Sequence, residues 1–258
     1  MIERDKLIQY ASIAENYFVQ QNIERFVSEF STIEDVEIMA ISACWLNIGI
    51  RDEGVAYAMW AYNKFKEDES PLQYVLNKSR NWTRYQQNYS KFTSSHTLHG
   101  WWQLMGKLYK IYSNGGTILD EVVKGLGQST EDPRDVILQT LFELFSGVSQ
   151  MPTTLDYLPN KFVRFVMMMV RPRPIATGVW SDKRPELINA SMAYIPLNSE
   201  LIKVISDNGL VESPNMSWEF GKSLVEYFSD IFPDDPTRGY LSIIGLKEYA
   251  NIDISLTK

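Results

Sequence analysis

The stretch "LHGWWQLMGKLYKIYSNGG", residues 98–116, decides the fold class. Leu98, Trp101, Met105, Leu108 and Tyr112 recur at spacings of three and four, which places them on one face of an α-helix. The Gly115-Gly116 pair supplies the stop. The same period returns in Leu7, Ala11, Ala14 and Phe18. Start signals agree: Thr32 with Asp35, Ser70 before Pro71, Asp132 before Pro133 and Asp235 before Pro236 each set a capping side chain ahead of a first turn. Gly49, Gly147 and Gly209 provide further stops. No β-branched alternation bounded by hairpin dipeptides is present, so the expected fold is mostly α.

A chain of 258 residues with 45% hydrophobic and 22% charged content can bury a substantial core. It is expected to form a single globular helical unit over 1–258; if it divides, the lobes are 1–150 and 151–258. The opening "MIERDKLIQY" is charged from its third residue, and no apolar run reaches bilayer-spanning length. A soluble cytoplasmic protein without a membrane partner is expected. The lone Cys44 permits neither an intrachain disulfide nor a cysteine-based zinc site, which suits a reducing compartment. A formal charge of −7 argues against a surface that is basic overall, while leaving room for a local basic face.

That local face lies in "NKFVRFVMMMVRPRPIATGVWSDKR", residues 160–184. Lys161, Arg164, Arg171, Arg173, Lys183 and Arg184 stand there against a single acid, Asp182. Arg164 and Arg171 are seven apart and share a helical face, where they are candidate phosphate ligands. Arg171 and Arg173 also fall at a helix end, where cations complement the macrodipole, and ion pairing is the competing explanation. Met167 to Met169 read as adaptable core filler. Trp180 and Trp218 have the shape to stack on a base, though in a chain with seven Trp the core competes for them. The only histidines, His96 and His99, lack a third ligand and read as a packed pair at a helix entry, so no metal is expected. The absence of GxSxG, Walker A and GxGxxG stretches leaves acyl-transfer, P-loop and dinucleotide chemistry without support, and no cofactor is expected.

The ordered series "RFVMMMVR", "GVW", "PELI" leading to "IPLNSELIKVISDNGL", "SWEFGKSLVEYF" and "FPDDPTRGYLSIIGL" resembles the C-terminal half of the uncharacterised DUF2400 family. "NIERFVSEFSTIEDVEIMAISACWLNIGIRDEG", "SPLQYVL" and "LGQ" extend the likeness to the N-terminal half in the same order. That family in turn resembles the helix-hairpin-helix DNA glycosylase superfamily. The resemblance implies a helical bundle around a cleft, with DNA or a nucleobase as partner. In catalytic members of the superfamily an Asp at a helix start stabilises the oxocarbenium-like sugar as the flipped base departs.

Here the PLD turn reads Pro196-Leu197-Asn198, Glu200 replaces the following His, and no LPGVG-type hairpin precedes the turn. An amide supplies hydrogen bonds but no negative charge, so the resemblance implies binding with glycosylase chemistry weak or lost. On this reading Lys161, Arg164, Arg171 and Arg173 meet phosphates, Trp180 lines the cleft, and Asn198 and Glu200 occupy the catalytic positions. Two alternatives stay open: an enzyme acting on a damaged or modified base through another cleft acid such as Glu200, and an interaction scaffold that keeps only the fold. Arg164 and Arg171 in internal ion pairs would favour the scaffold.

Overall fold

A computed structural model describes residues 2–21, 23–47, 51–78, 96–154, 156–173 and 175–249. Gly49 and most of the polar stretch between residues 77 and 96 lie outside them, as does the side chain of Phe18. The described residues form helices α1 (Arg4–Gln21), α2 (Glu24–Val27), α3 (Ile33–Leu46), α4 (Arg51–Lys66), α5 (Pro71–Lys78), α6 (Leu98–Tyr112) and α7 (Ile118–Gln128). They continue with α8 (Pro133–Phe145), α9 (Asn160–Val170), α10 (Val179–Lys183), a 3-10 turn (Ala190–Met192), α11 (Ser199–Asp207), α12 (Trp218–Ser229) and α13 (Arg238–Tyr249). No strand occurs among these residues; an isolated antiparallel bridge joins Tyr157 to Ser217.

The mostly α expectation holds, and its local signals work as read. Thr32 accepts from the Asp35 N–H, Asp132 from the Arg134 N–H, and Ser70 from the Gln73 N–H. Asp235 accepts from the Thr237 N–H, although α13 begins one residue later, so this cap closes the preceding turn. Trp101, Met105, Leu108 and Tyr112 of the opening stripe are buried. Gly115 takes the left-handed conformation at φ 75°, which a side chain would resist, and so ends the turn after α6.

Helix α3 is the axis of the core. Val36 to Leu46 are buried on every side, as expected of a helix enclosed by neighbours, and α2, α4, α5, α9 and α10 pack around it. Met167, Met168 and Met169 of α9 are all buried against this core. Within the same core, Glu37 accepts from Tyr112 Oη (2.6 Å), Trp180 Nε1 (2.6 Å) and the N–H groups of Ile118 (3.0 Å) and Leu119 (2.9 Å). One carboxylate thereby fastens the end of α6, the start of α7 and α10 to α3. At the far side α1 lies along α13: Ser242 donates to the Leu7 carbonyl at 2.8 Å, and a Cβ on Gly245 would come within 2.3 Å of the Tyr10 carbonyl oxygen. No described helix is long and apolar enough to cross a membrane.

Candidate functional site

The start of α9 and the start of α11 form two walls of one cleft. Asn160 Oδ1 accepts from the Leu197 N–H at 2.6 Å, tying the Pro196-Leu197-Asn198 turn to the first residue of α9. From the other side, Asp135 accepts from Tyr194 Oη (2.5 Å), Trp218 Nε1 (2.8 Å) and Lys222 Nζ (2.6 Å), which anchors the chain on both flanks of the turn. Asn198 is extended (φ −143°, ψ 170°), and its Oδ1 caps α11 by accepting from the Leu201 N–H at 2.8 Å. The cap residue is exposed and borders the cleft.

The cleft has two adjoining lobes, of about 470 Å³ and about 150 Å³, which share Asn47, Arg164, Asn198, Leu201 and Tyr240. Lys161, Asn160, Cys44, Pro196 and Met216 complete much of the larger lobe. Glu200, Lys247 and Glu248 stand in the smaller one. Among the described residues, none that lines the larger lobe is acidic.

Its two cations are both constrained. Arg164 donates Nε and Nη2 to Glu24 at 3.0–3.2 Å, and Glu24 is only 2% exposed. Burial alone would loosen the guanidinium proton, but the Glu24 carboxylate outweighs it and holds Arg164 charged, above its ordinary pKa. Lys161 Nζ donates to the Trp45 carbonyl at 2.6 Å, and burial lowers its pKa to about 8. His96 Nε2 lies 2.8 Å from the same carbonyl and its ring packs edge-on against Trp45. Burial, with Lys161 adding to it, pulls His96 down to about 4, so the ring is neutral at pH 7 and Nε2 carries the donated hydrogen. The Cys44 thiol is pushed up to about 12 by burial and is not a nucleophile in this setting. No group of three or more potential metal ligands occurs among the described residues.

The sequence-stated candidates separate in space. Lys161, Arg164, Asn198 and Glu200 meet at the cleft. Glu200 is 60% exposed and pairs with Lys247 at 2.6 Å. Arg171 does not join them: it is 1% exposed, with Nε donating to Asp235 at 2.9 Å, and a guanidinium so enclosed does not reach a phosphate. Trp180 is likewise corrected from cleft to core, because its indole is fully buried and its N–H is committed to Glu37. Arg173 is exposed but outside the cleft wall. Asn47, Asn160 and Tyr240 enter the wall without any sequence signal that pointed to them; Glu24, the partner of Arg164, lies 140 residues away along the chain.

Neither the curated proteins nor the solved structures contain a match to this chain. A family profile described as "Protein of unknown function (DUF2400)" matches residues 24–247, a span that runs from the buried Glu24 through the cleft to Lys247. The chain belongs to the DUF2400 family.

Proposed function

We propose that the cleft between α9 and α11 binds a nucleobase, free or carried by a nucleic acid, and holds it without cleaving its N-glycosidic bond. A helical architecture of the helix-hairpin-helix DNA glycosylase kind is part of the same reading. The observation that carries it is Asn198: the residue caps α11 at an open cleft, with Lys161 and Arg164 in the wall and no carboxylate among the described residues that line the larger lobe. Glycosidic cleavage develops positive charge on the sugar and needs an anion beside it. A neutral amide leaves that charge unopposed, whereas it suits hydrogen bonding to a base edge. Glu200, the nearest acid along the chain, is engaged by Lys247.

The test is fluorescence polarisation with single-stranded, duplex and abasic DNA at two salt concentrations. Binding that weakens with salt supports the reading, and no binding at low salt removes it. Asn198→Asp restores a carboxylate at the cap; release of a damaged or modified base by this variant supports a lost glycosylase, and release by the wild-type chain would instead make Glu200 or Glu248 the working acid.

One observation favours a second reading, an interaction scaffold: Arg164 and Arg171 both stand in internal ion pairs. Loss of stability in Arg164→Ala and Arg171→Ala, together with no nucleic-acid binding by the wild-type protein, would support it.

A further inference from the structure

Beside the larger lobe lies a shallow hollow of about 320 Å³, walled by residues of the run 150–161 that leads into α9. Asn160 and Lys161 line both, so the hollow and the lobe adjoin at the start of α9. Among the described residues that line the hollow none is acidic, and Lys161 is a cation common to both walls. Asp156 is exposed nearby but does not line it.

Tyr157 lines this hollow and is 67% exposed, whereas every other described aromatic side chain is at least partly covered. No hydrogen bond or ring contact engages its side chain among the described residues. Its backbone, by contrast, is held: Tyr157 bridges to Ser217, and the Leu158 N–H donates to the Met216 carbonyl at 3.2 Å. Leu158 is buried against α12, where a Cβ on Gly221 would meet its methyl groups at 3.2 Å, and Pro159 fixes the next φ. Met216 also lines the larger lobe, so the strut that holds Tyr157 is part of that lobe's wall. A free ring on a fixed backbone offers a flat face with little backbone entropy left to lose on binding.

We propose that Tyr157 is a stacking platform for the nucleotide next to the one whose base enters the larger lobe, so that the ligand is a single strand rather than a free base. The inference rests on the nucleobase-binding reading and extends it along the strand. An aromatic face stacks on any base, and a wall without acids leaves the linking phosphate unrepelled. Gln150, Thr153 and Thr154, all exposed, keep the rim polar, which suits a hydrated strand better than the broad apolar patch of a protein interface.

The experiment is fluorescence polarisation of the full chain with a labelled single-stranded DNA decamer of mixed sequence. Tyr157→Ala is expected to weaken binding about tenfold, the scale of one lost base–aromatic stack. Tyr157→Trp should match or tighten the wild type, and Tyr157→Leu should resemble the alanine variant, because stacking needs a π face rather than apolar bulk. The ring is exposed, so all three variants should keep the wild-type melting temperature. A loss under about threefold in Tyr157→Ala, or full binding by Tyr157→Leu, overturns the inference while leaving nucleobase binding intact. So does a Tyr157→Ala variant that still holds the strand but dissolves a dimer in sedimentation, which would assign the ring to a second copy of the chain. Failure of the wild-type chain to bind the decamer removes both readings.

Discussion

Arg164 offers the sharpest test of how the cleft is held. A solvated phosphate ligand and a buried ion pair predict different costs for its removal. In Arg164→Met the Glu24 carboxylate, 2% exposed, loses contacts at 3.0, 3.1 and 3.2 Å and stays enclosed without a counter-ion. Breaking such a pair from one side costs about 3–5 kcal/mol. Two charge-assisted hydrogen bonds at about 1.5–3 kcal/mol each give a similar total, about 3–6 kcal/mol. With an unfolding entropy near 2.1 cal/mol/K per residue, that cost lowers the melting temperature of this chain by about 6–9 °C. Replacing both partners, Glu24→Met with Arg164→Met, removes the orphaned charge and should recover much of the loss. The cycle should yield a coupling of at least about 2 kcal/mol in urea denaturation. A single-variant cost below about 1 kcal/mol, with additive effects, would refute the pair as a structural element and return Arg164 to the pool of exposed cations.

Glu37 makes stability depend on pH. Burial raises its pKa to about 7 against the hydrogen bonds from Tyr112, Trp180, Ile118 and Leu119. The folded state then holds a proton that the unfolded chain releases, so this contribution is full below pH 4.5 and is lost as pH rises through 7, roughly 3 kcal/mol in all. Denaturation of wild type and Glu37→Gln across pH 4–8 should show that slope only in the wild type; parallel curves would contradict it. Gly245→Ala should destabilise by about 1–3 kcal/mol because its Cβ would sit 2.3 Å from the Tyr10 backbone oxygen, forcing α1 and α13 apart. Gly127→Ala, which meets nothing within 4 Å on α7, should stabilise by about 0.5–1 kcal/mol; equal thermal shifts in the two variants would refute the close helix approach. Asn198→Ala should cost about 1 kcal/mol of stability through the lost cap while Asn198→Asp changes it little, and a large loss in the Asp variant would mean that the cap bond is not what holds α11.

The sequence exposed what depends on near neighbours. Stripes such as Trp101, Met105, Leu108 and Tyr112 declare a helix because their period is local, and Thr32 and Asp132 declare a start because a cap reaches only two or three residues. Asn198 belongs to the same class, because the bond that makes it a cap reaches only as far as Leu201. Charge partners were not legible in this way. Arg164 finds Glu24 across 140 residues, and Arg171 finds Asp235 across 64, so a basic run in sequence dissolved into separate pairs in space. Trp180 shows the same limit for apolar groups: motif position gave no direction, and its N–H turned inward to Glu37, 143 residues away. Asn160 was hidden because its role comes from the contact with Leu197 rather than from any pattern around it.

The most direct measurement is a crystal structure of the chain with a bound single-stranded oligonucleotide. A base is expected in the larger lobe between the starts of α9 and α11, within hydrogen-bond distance of a polar side chain of its wall and with its glycosidic bond intact. A base seated elsewhere on the chain, or a cleaved sugar in this lobe, would contradict it.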